Sequence, residues 1–200
     1  MIRPTDLERD DRMERQVMWS HSETPGMEHF RIVTRPDEIV ADGIVLGVEN
    51  GSAFRLHYEV RCDPQWRVRR VGANLVSDGR NLSLSSNGEG RWFDESGRAV
   101  PALDGCLDVD ITATPFTNTL PIRRLALGRG ESAEIKVAYV TIPELQVTPD
   151  EQRYTFVEAD DACGRYKFEQ RSSGFTALLQ VDDEGLVEDY PELFRRVWAG

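Results

Sequence analysis

Apolar and polar residues alternate with a period of two along much of this chain. The clearest stretch is 54–62, where an apolar residue at every second position alternates with Arg55, His57, Glu59 and Arg61. This pattern is typical of a β-strand with one buried face, because successive side chains of a strand point to opposite sides. Shorter stretches with the same alternation lie around residues 28–32, 82–84, 165–169 and 175–181. The sequence therefore predicts a mostly β fold.

Turn signals separate the predicted strands. Asn50-Gly51 and Asp78-Gly79 are dipeptides typical of tight hairpins, because Asn, Asp and Gly tolerate a positive φ. Strands joined by so few residues must be antiparallel neighbours. The alternation changes phase within residues 69–72, which predicts a β-bulge or a bend between two sheets at that point.

Only one helix is predicted, over residues 190–198. Pro191 suits the first position of a helix, where its missing N–H would have no partner. Phe194, Val197 and Trp198 would then form an apolar stripe on one face, since they lie at positions i, i+3 and i+4. A helix of this length is expected to cap an open end of the sheet.

The predicted architecture is a single large antiparallel β-barrel-like or strongly curved sheet with one short C-terminal helix. The 200 residues, of which 40% are hydrophobic and 30% charged, fit one globular domain that needs no metal or disulfide for its stability. Residues 1–12 are expected to form a loosely ordered arm, and residues 13–200 the single β domain.

The formal net charge of −11 disfavours negatively charged binding partners. An acidic surface repels nucleic-acid phosphates and anionic lipid headgroups, so neither nucleic-acid binding nor stable membrane insertion is expected. No apolar run approaches the roughly 20 residues of a membrane span, and the charged N-terminus lacks the apolar core of a signal peptide. Cys62, Cys106 and Cys163 are odd in number and widely spaced, which favours reduced thiols in the cytoplasm.

One internal segment combines acidic, basic and hydroxyl side chains. Asp108 and Asp110 share one side of a predicted strand, and the chain then turns and returns with Arg123 and Arg124. In a hairpin the two carboxylates would lie near an arginine across the ladder, where opposite charges attract. Asn118 and three threonines in the turn suit the binding of sugar or phosphate oxygens. Two interpretations follow: a structural ion-pair network on a solvated face, or a polar patch that lines a ligand cavity.

Glu28 is a second candidate residue. The alternation places its carboxyl group on the same face as Phe30 and Ile32, and a buried carboxylate without a partner is costly. Glu28 therefore needs a partner or a function, unless it lies at the strand end beside Pro25 and Gly26 and stays in contact with water.

Aromatic residues form a third set of candidates. The flat faces of Trp19, Trp66 and Trp92 could stack on sugar rings or cover acyl chains, but tryptophan also packs well in the core of a β-protein. Tyr58 and Tyr166 lie on the apolar faces of predicted strands. A cavity lined by aromatic rings and a few convergent polar groups is the usual form of a small-molecule site.

Other chemistries find little support in the sequence. His21, His29 and His57 lack the spacing of a metal site, and the chain has no Gly-x-Ser-x-Gly nucleophile motif. Asp108 and Asp110 could act as the carboxylate pair of a glycosidase, but neighbouring arginines would keep both ionised, whereas the acid catalyst needs a raised pKa. No cofactor is expected.

The string of residues 114–125, Thr-Pro-Phe-Thr-Asn-Thr-Leu-Pro-Ile-Arg-Arg-Leu, resembles a bacterial family named putative glycolipid-binding proteins. Asp-Val-Asp-Ile at 108–111 and Gly-Glu-Gly-Arg-Trp at 88–92 resemble it too, and the similarity extends along nearly the whole chain, from Trp19 to Tyr190. The resemblance implies a large, curved, many-stranded β fold with very little helix and the binding of a glycolipid. It supplies no catalytic residues.

These observations favour a cytoplasmic, non-enzymatic protein that binds a small amphiphilic, glycolipid-like ligand. The apolar tail would lie against Phe54, Tyr58, Trp66 and Tyr166. The headgroup would meet a set of polar side chains: Glu28, Asp108, Asp110, Asn118, Arg123 and Arg124. The identity of the ligand and the oligomeric state are not predicted.

Two alternative functions remain open. A sugar- or nucleotide-sugar-modifying enzyme would use Glu28 with Asp108 or Asp110, and it needs these carboxylates within catalytic distance in an open cleft. A structural or partner-binding β module would lack a deep pocket and would expose an apolar patch or an unpaired strand edge.

Overall fold

The computed structural model describes residues 13–159 and 163–200, so the predicted arm at 1–12 lies outside the described residues. These two ranges contain fourteen strands: β1 (Met13–His21), β2 (Gly26–Thr34), β3 (Ile39–Glu49), β4 (Ser52–Cys62), β5 (Val68–Leu75), β6 (Asn81–Ser86), β7 (Trp92–Asp94), β8 (Asp108–Ile111), β9 (Ser132–Thr141), β10 (Gln146–Ala159), β11 (Gly164–Gln170), β12 (Thr176–Val181), β13 (Val187–Tyr190) and β14 (Phe194–Ala199). The α-helix α1 spans Thr119–Leu125, and two short 3-10 helices span Pro101–Leu103 and Pro115–Asn118.

All fourteen described strands belong to one sheet, in the order β7-β6-β5-β4-β3-β2-β1-β14-β13-β12-β11-β10-β9-β8. Strands β1–β7 form a first wing and β8–β14 a second wing, and the wings join where β1 pairs with β14. Neighbours are antiparallel, except that β8 is parallel to β9. The described edge strands β7 and β8 do not pair, so the sheet is open. The predicted mostly β, strongly curved single sheet is confirmed, and a closed barrel is not formed.

The predicted alternation and turns agree with the structure. Leu56, Tyr58 and Val60 of β4 are all 0% exposed, while the residues between them face outward or lie half-buried. The β3–β4 hairpin turns at Asn50-Gly51, where both residues have a positive φ. The phase change is a β-bulge, because Arg61 and Cys62 pair with Arg70 and Val68 and leave one extra residue on β5.

The predicted C-terminal helix is wrong. Residues 187–199 form β13 and β14, and the turn between them is closed by a bond from the Leu193 N–H to the Tyr190 carbonyl. Phe194 is buried, but Val197 and Trp198 are 53% and 48% exposed, so no apolar helical stripe is used. The physical reason is non-local pairing, since β14 bonds to β1 at the middle of the sheet and tertiary pairing overrides local helix propensity.

The one described α-helix lies in a segment that was predicted to form the return arm of a hairpin. Residues 113–125, here named the inner segment, run as a 3-10 turn followed by α1, and residues 113–122 are all buried. Pro121 is tolerated because it lies in the first turn of α1, and the helix ends at Ala126, which has a left-handed φ of 46°. The hairpin prediction is therefore wrong.

The inner segment packs into both wings. Phe116 stacks on Phe30 of β2 with ring centroids 4.6 Å apart. Phe116 and Leu120 belong to a hydrophobic cluster built mostly on the first wing, and Ile122 belongs to a second cluster around Phe168. Cavities lie at the two ends of the inner segment.

Candidate functional site

A large cavity opens at the end of the inner segment that carries Arg123 and Arg124. It has a volume of about 800 Å³ and adjoins a second cavity of about 230 Å³, with which it shares Pro64, Trp66 and Arg123. These two cavities together are named the Trp66 groove. Volumes of this size are usual for small-molecule sites.

Trp66 is held in the groove by a tight turn between β4 and β5. Its backbone has a left-handed φ of 62°, which is rare for a bulky residue. The turn is fixed because Asp63 Oδ1 accepts hydrogen bonds from the backbone N–H groups of Gln65 and Arg67. The guanidinium carbon of Arg123 lies 5.3 Å from the centroid of the Trp66 ring, within the range of a cation–π interaction.

Four apolar or aromatic residues are among those that line the larger cavity of the Trp66 groove: Ile122, Phe156, Tyr166 and Val181. The rings of Phe156 and Tyr166 lie 4.9 Å apart. Burial raises the pKa of Tyr166, and the charge of Arg123 opposes that change. The groove therefore holds apolar side chains and a cationic side chain in one cavity.

Arg124 joins the groove to the edge of the second wing. Its Nε lies 3.0 Å from Asp108 Oδ1 and its Nη2 lies 2.5 Å from Oδ2, which is a bidentate ion pair. Asp108 is 0% exposed, and burial raises its pKa against the opposing effect of Arg124. The predicted proximity of Asp108 to an arginine is confirmed, but the partner comes from a helix, and Asp110 bonds to neither arginine.

Arg123 differs from Arg124 in its partners. Within residues 13–159 and 163–200, Arg123 is in no ion pair, and its contacts are the Trp66 ring and a long 3.5 Å bond to the carbonyl of Asp183. Asp182, which also lines the groove, is bound by Arg196. The guanidinium of Arg123 therefore keeps donors that a ligand could use.

A second pair of cavities opens at the other end of the inner segment. Cavities of about 400 Å³ and about 470 Å³ share Thr112, Tyr139, Leu193 and Phe194, and together they are named the Asp110 cleft. The wall of the smaller cavity includes Asp110.

Hydrogen bonds from neighbouring side chains hold the polar groups of the Asp110 cleft in place. Asp110 Oδ1 accepts a bond of 3.1 Å from the Thr117 hydroxyl, and Oδ2 accepts one of 2.6 Å from Gln152 Nε2. Asn118 Oδ1 accepts a bond of 2.8 Å from the Tyr154 hydroxyl. Burial raises the pKa of Asp110.

Glu28 lies behind the wall of this cleft. It is 0% exposed, which makes the alternative of a wet strand end wrong. Its Oε1 accepts hydrogen bonds from the hydroxyls of Tyr58 at 2.5 Å and Thr114 at 3.0 Å, while Oε2 has no partner among the described residues. Burial raises the pKa of Glu28 to about 8, although both hydrogen bonds act in the opposite direction. Thr114 reaches the cleft, but Glu28 is not part of its lining.

Trp19 and Trp92 lie inside the core. Both are 0% exposed, and the indole N–H groups donate to the carbonyls of Val187 and Cys106, at 2.7 and 2.8 Å. Their rings are therefore covered by protein, and neither residue lines one of the cavities described above.

The structure buries five of the predicted ligand residues in the core, Trp19, Glu28, Tyr58, Trp92 and Asp108, and divides the others between two sites. Trp66, Tyr166 and the two arginines of α1 meet in the Trp66 groove, whereas Asp110 and Asn118 meet in the Asp110 cleft. Of the three carboxylates that the enzyme hypothesis names, only Asp110 lines one of the cavities described above, so Glu28 does not share an open cleft with Asp108 or Asp110. Among residues 13–159 and 163–200 no group of His, Cys, Asp and Glu side chains is arranged to hold a metal ion.

Sequence reasoning missed several residues that line the two sites. Phe156 and Ile122 in the groove, and Phe175 and Tyr190 in the cleft, were not predicted as site residues. The alternation around 165–169 and 175–181 marks strand faces that carry aromatic rings, but it does not show that separate strands share one cavity.

Exposed apolar residues also occur, as a partner-binding module would require. Met27 and Leu46 pair across β2 and β3 and are 42% and 53% exposed, and Ile44 is 53% exposed beside them. None of the described helices has the length and hydrophobicity to cross a bilayer.

The open, curved, fourteen-stranded sheet with an internal helical segment defines the class: a mostly β protein with cavities on both sides of that segment. Residues 16–196 match the family described as "Putative glycolipid-binding", and the chain belongs to this family. A DUF1089 family protein from Pseudomonas aeruginosa, known from a crystal structure at 1.80 Å resolution, is 37% identical, with a TM-score of 0.74. The match covers 85% of this chain and 92% of that chain. No curated protein matches the chain.

Proposed function

We propose that this protein binds an amphiphilic, glycolipid-like molecule in the Trp66 groove and performs no chemistry on it. The observation that carries the proposal is the position of Arg123, which lies over the Trp66 ring without a carboxylate partner among the described residues, in a cavity that apolar side chains also line. An amphiphile needs both kinds of surface within one cavity.

The apolar part of the ligand would lie against Ile122, Phe156, Tyr166 and Val181. Removing such surface from water contributes about 25 cal/mol per Å² of apolar area. The smaller cavity adjoins the larger one at Trp66, and Ile32, Ile39 and Leu186 are among its lining residues.

The polar headgroup would meet Arg123 and the half-exposed face of Trp66. A guanidinium donates to sugar, phosphate or carboxylate oxygens, and an indole face stacks on a sugar ring. Arg124 lines the same cavity, but its bidentate bond to Asp108 fixes its position. Its role would be to hold α1 in place rather than to change partner.

The test begins with native mass spectrometry of protein purified from its own host, followed by organic extraction and lipid analysis. We expect a chemically uniform amphiphile in stoichiometric amount. Octyl glucoside then serves as a defined probe in calorimetric titrations of Trp66→Ala and Arg123→Ala. Each variant should bind about tenfold more weakly or worse, because each removes a central contact.

Arg91→Ala is the matched control, since Arg91 is an exposed arginine outside both sites. It should leave the affinity for octyl glucoside unchanged. The proposal fails if the purified protein carries no amphiphile and the probe binds equally to all three variants and the native protein.

A further inference from the structure

The Asp110 cleft combines aromatic rings and negative charge. In the smaller cavity the rings of Phe168, Phe175 and Tyr190 form a triangle in which each pair of centroids is 6.2 Å apart. Phe194 continues this surface, with its ring 6.1 Å from that of Tyr190. The faces of such rings carry negative electrostatic potential, which attracts cations.

The charged groups around the cleft are nearly all acidic. Asp110 lines the smaller cavity, and Asp150 lies behind it, joined through a 2.9 Å bond to Gln170. Four glutamates line the larger cavity: Glu23, Glu49, Glu144 and Glu192. No lysine or arginine is among the described residues that line either cavity.

Histidine is the one basic side chain in the lining. His21 lines the larger cavity, and burial lowers its pKa, which favours the neutral ring. Its Nε2 is buried and has no partner among the described residues, and its ring packs edge-on against Phe194 at 5.0 Å. A neutral His21 therefore does little to offset the negative charge of the carboxylates that line the cleft.

The carboxylate of Asp110 is held in place but still has capacity to accept. Each oxygen receives one hydrogen bond, from Thr117 or from Gln152, and a carboxylate oxygen can accept two. Within the described residues Asp110 has no cationic partner, and its carboxyl group is half-buried at the wall of the cleft, where an unpaired negative charge is costly. A ligand that carries positive charge would remove this cost.

We propose that the Asp110 cleft binds a small organic cation, with an ammonium group beside Asp110 and its alkyl carbons against the rings of Phe168, Phe175 and Tyr190. This site is separate from the Trp66 groove, because the two sites share no lining residue. The proposal therefore does not depend on the amphiphile proposed above.

Calorimetric titration with choline tests the charge directly. Its neutral isostere, 3,3-dimethylbutan-1-ol, is the control ligand, since it has the same shape without the charge. Putrescine tests a primary ammonium. We expect saturable binding of at least one cation, at least about tenfold tighter than binding of the isostere, because cation–π and charge contacts together favour the ammonium.

Variants locate the site. Asp110→Asn should weaken cation binding about tenfold or more, and its fold is checked by circular dichroism. Phe175→Leu changes a partly buried ring at the cleft without touching the Asp110 hydrogen bonds, and it should weaken binding about fivefold. Phe93→Leu, on the opposite wing, is its matched control and should bind like the native protein.

Three outcomes would overturn the proposal. One is equal binding of choline and its neutral isostere, which would make the cleft a site for apolar ligands. Another is saturable binding of glucose without binding of either cation, which would make it a polyol site. The last is no saturable binding of choline or putrescine. Arg123→Ala should leave cation binding unchanged, so failure of this proposal is distinct from failure of the amphiphile proposal.

Discussion

The hydroxyl of Tyr58 donates a hydrogen bond of 2.5 Å to the carboxyl group of Glu28, and both residues are 0% exposed. The bond reaches from β4 to β2 across Gly43 of β3. Because the pKa of Glu28 is raised to about 8, its carboxyl group is mostly protonated at neutral pH in the folded protein. Because the core disfavours the charged form of this carboxyl group, the stability of the protein depends on pH.

The stability of the protein is expected to fall as pH rises through the neutral range. Between the ordinary pKa of 4.5 and the folded-state value of about 8, the unfolded chain releases a proton that folded Glu28 retains. Below pH 4.5 Glu28 causes no loss in the free energy of unfolding. Between the two pKa values the loss grows by about 1.4 kcal/mol per pH unit, and above the folded-state pKa it is complete. Urea unfolding at pH values from about 5 to 8 measures this slope.

Glu28→Gln should remove that slope, because an amide does not titrate. Glu89→Gln, which changes an exposed glutamate, should keep it. A native protein whose unfolding free energy is as flat with pH as that of Glu28→Gln would show that the pKa of Glu28 is not raised.

Gly43 provides the space in which Glu28 and Tyr58 meet. A Cβ at position 43 would lie 2.4 Å from the Tyr58 ring and 2.6 Å from Glu28 Oε1. Gly43→Ala should therefore destabilise the fold by about 1–3 kcal/mol in urea unfolding. Gly72→Ala is the control, because a Cβ there would meet nothing within 4 Å, and it should be neutral or slightly stabilising. Equal effects at the two glycines would contradict the close packing at Gly43.

Removing one partner of the ion pair between Arg124 and Asp108 should strongly lower the free energy of unfolding. Arg124→Ala leaves the buried Asp108 uncompensated and is expected to cost about 3–5 kcal/mol. Arg80→Ala, in an exposed pair with Asp78, should change the free energy of unfolding far less, because water screens this pair. The double variant Asp108→Ala, Arg124→Ala should recover part of the loss, since no charge is then buried. No recovery would point to packing of the Arg124 side chain as the dominant effect.

Fluorescence quenching can report occupancy of the Trp66 groove. Trp19 and Trp92 are 0% exposed, whereas Trp198 is 48% exposed and Trp66 is half-buried. In a Trp198→Phe protein, acrylamide should therefore quench mainly Trp66. Octyl glucoside is expected to reduce this quenching, because a bound amphiphile covers the indole face. Unchanged quenching at saturating octyl glucoside would place the amphiphile elsewhere.

Local patterns predicted much of the sheet. The alternation in β4, the turn at Asn50-Gly51 and the bulge in β5 each depend on residues close together in the chain, and all three are confirmed. The segment 187–199 behaves differently, because its conformation is decided by pairing with β1. No local pattern reveals that partner, so an apolar spacing that fits a helix was misinterpreted.

The candidate sites were predicted only in part, because they too depend on contacts between residues far apart in the sequence. The proximity of Asp108 to an arginine followed from their charges and short separation in sequence. The division of Trp66 and Asp110 between two cavities depends on the inner segment, which separates the ends of the core. The aromatic triangle of the Asp110 cleft draws its rings from β11, β13 and the turn before β12, whose proximity requires the strand order.

β1 is the first of the described strands to be translated, and β14, which pairs with one of its two edges, is the last. That edge of β1 therefore stays unpaired until β14 has been translated. The first wing consists of strands that follow one another in sequence, so it can form while the second wing is still being translated. During that interval β1 presents a row of unpaired N–H and C=O groups, the kind of edge that joins to other chains. A nascent chain that stops before Phe194 lacks only β14 and leaves this edge of β1 unpaired, so it is expected to need a chaperone to avoid aggregation.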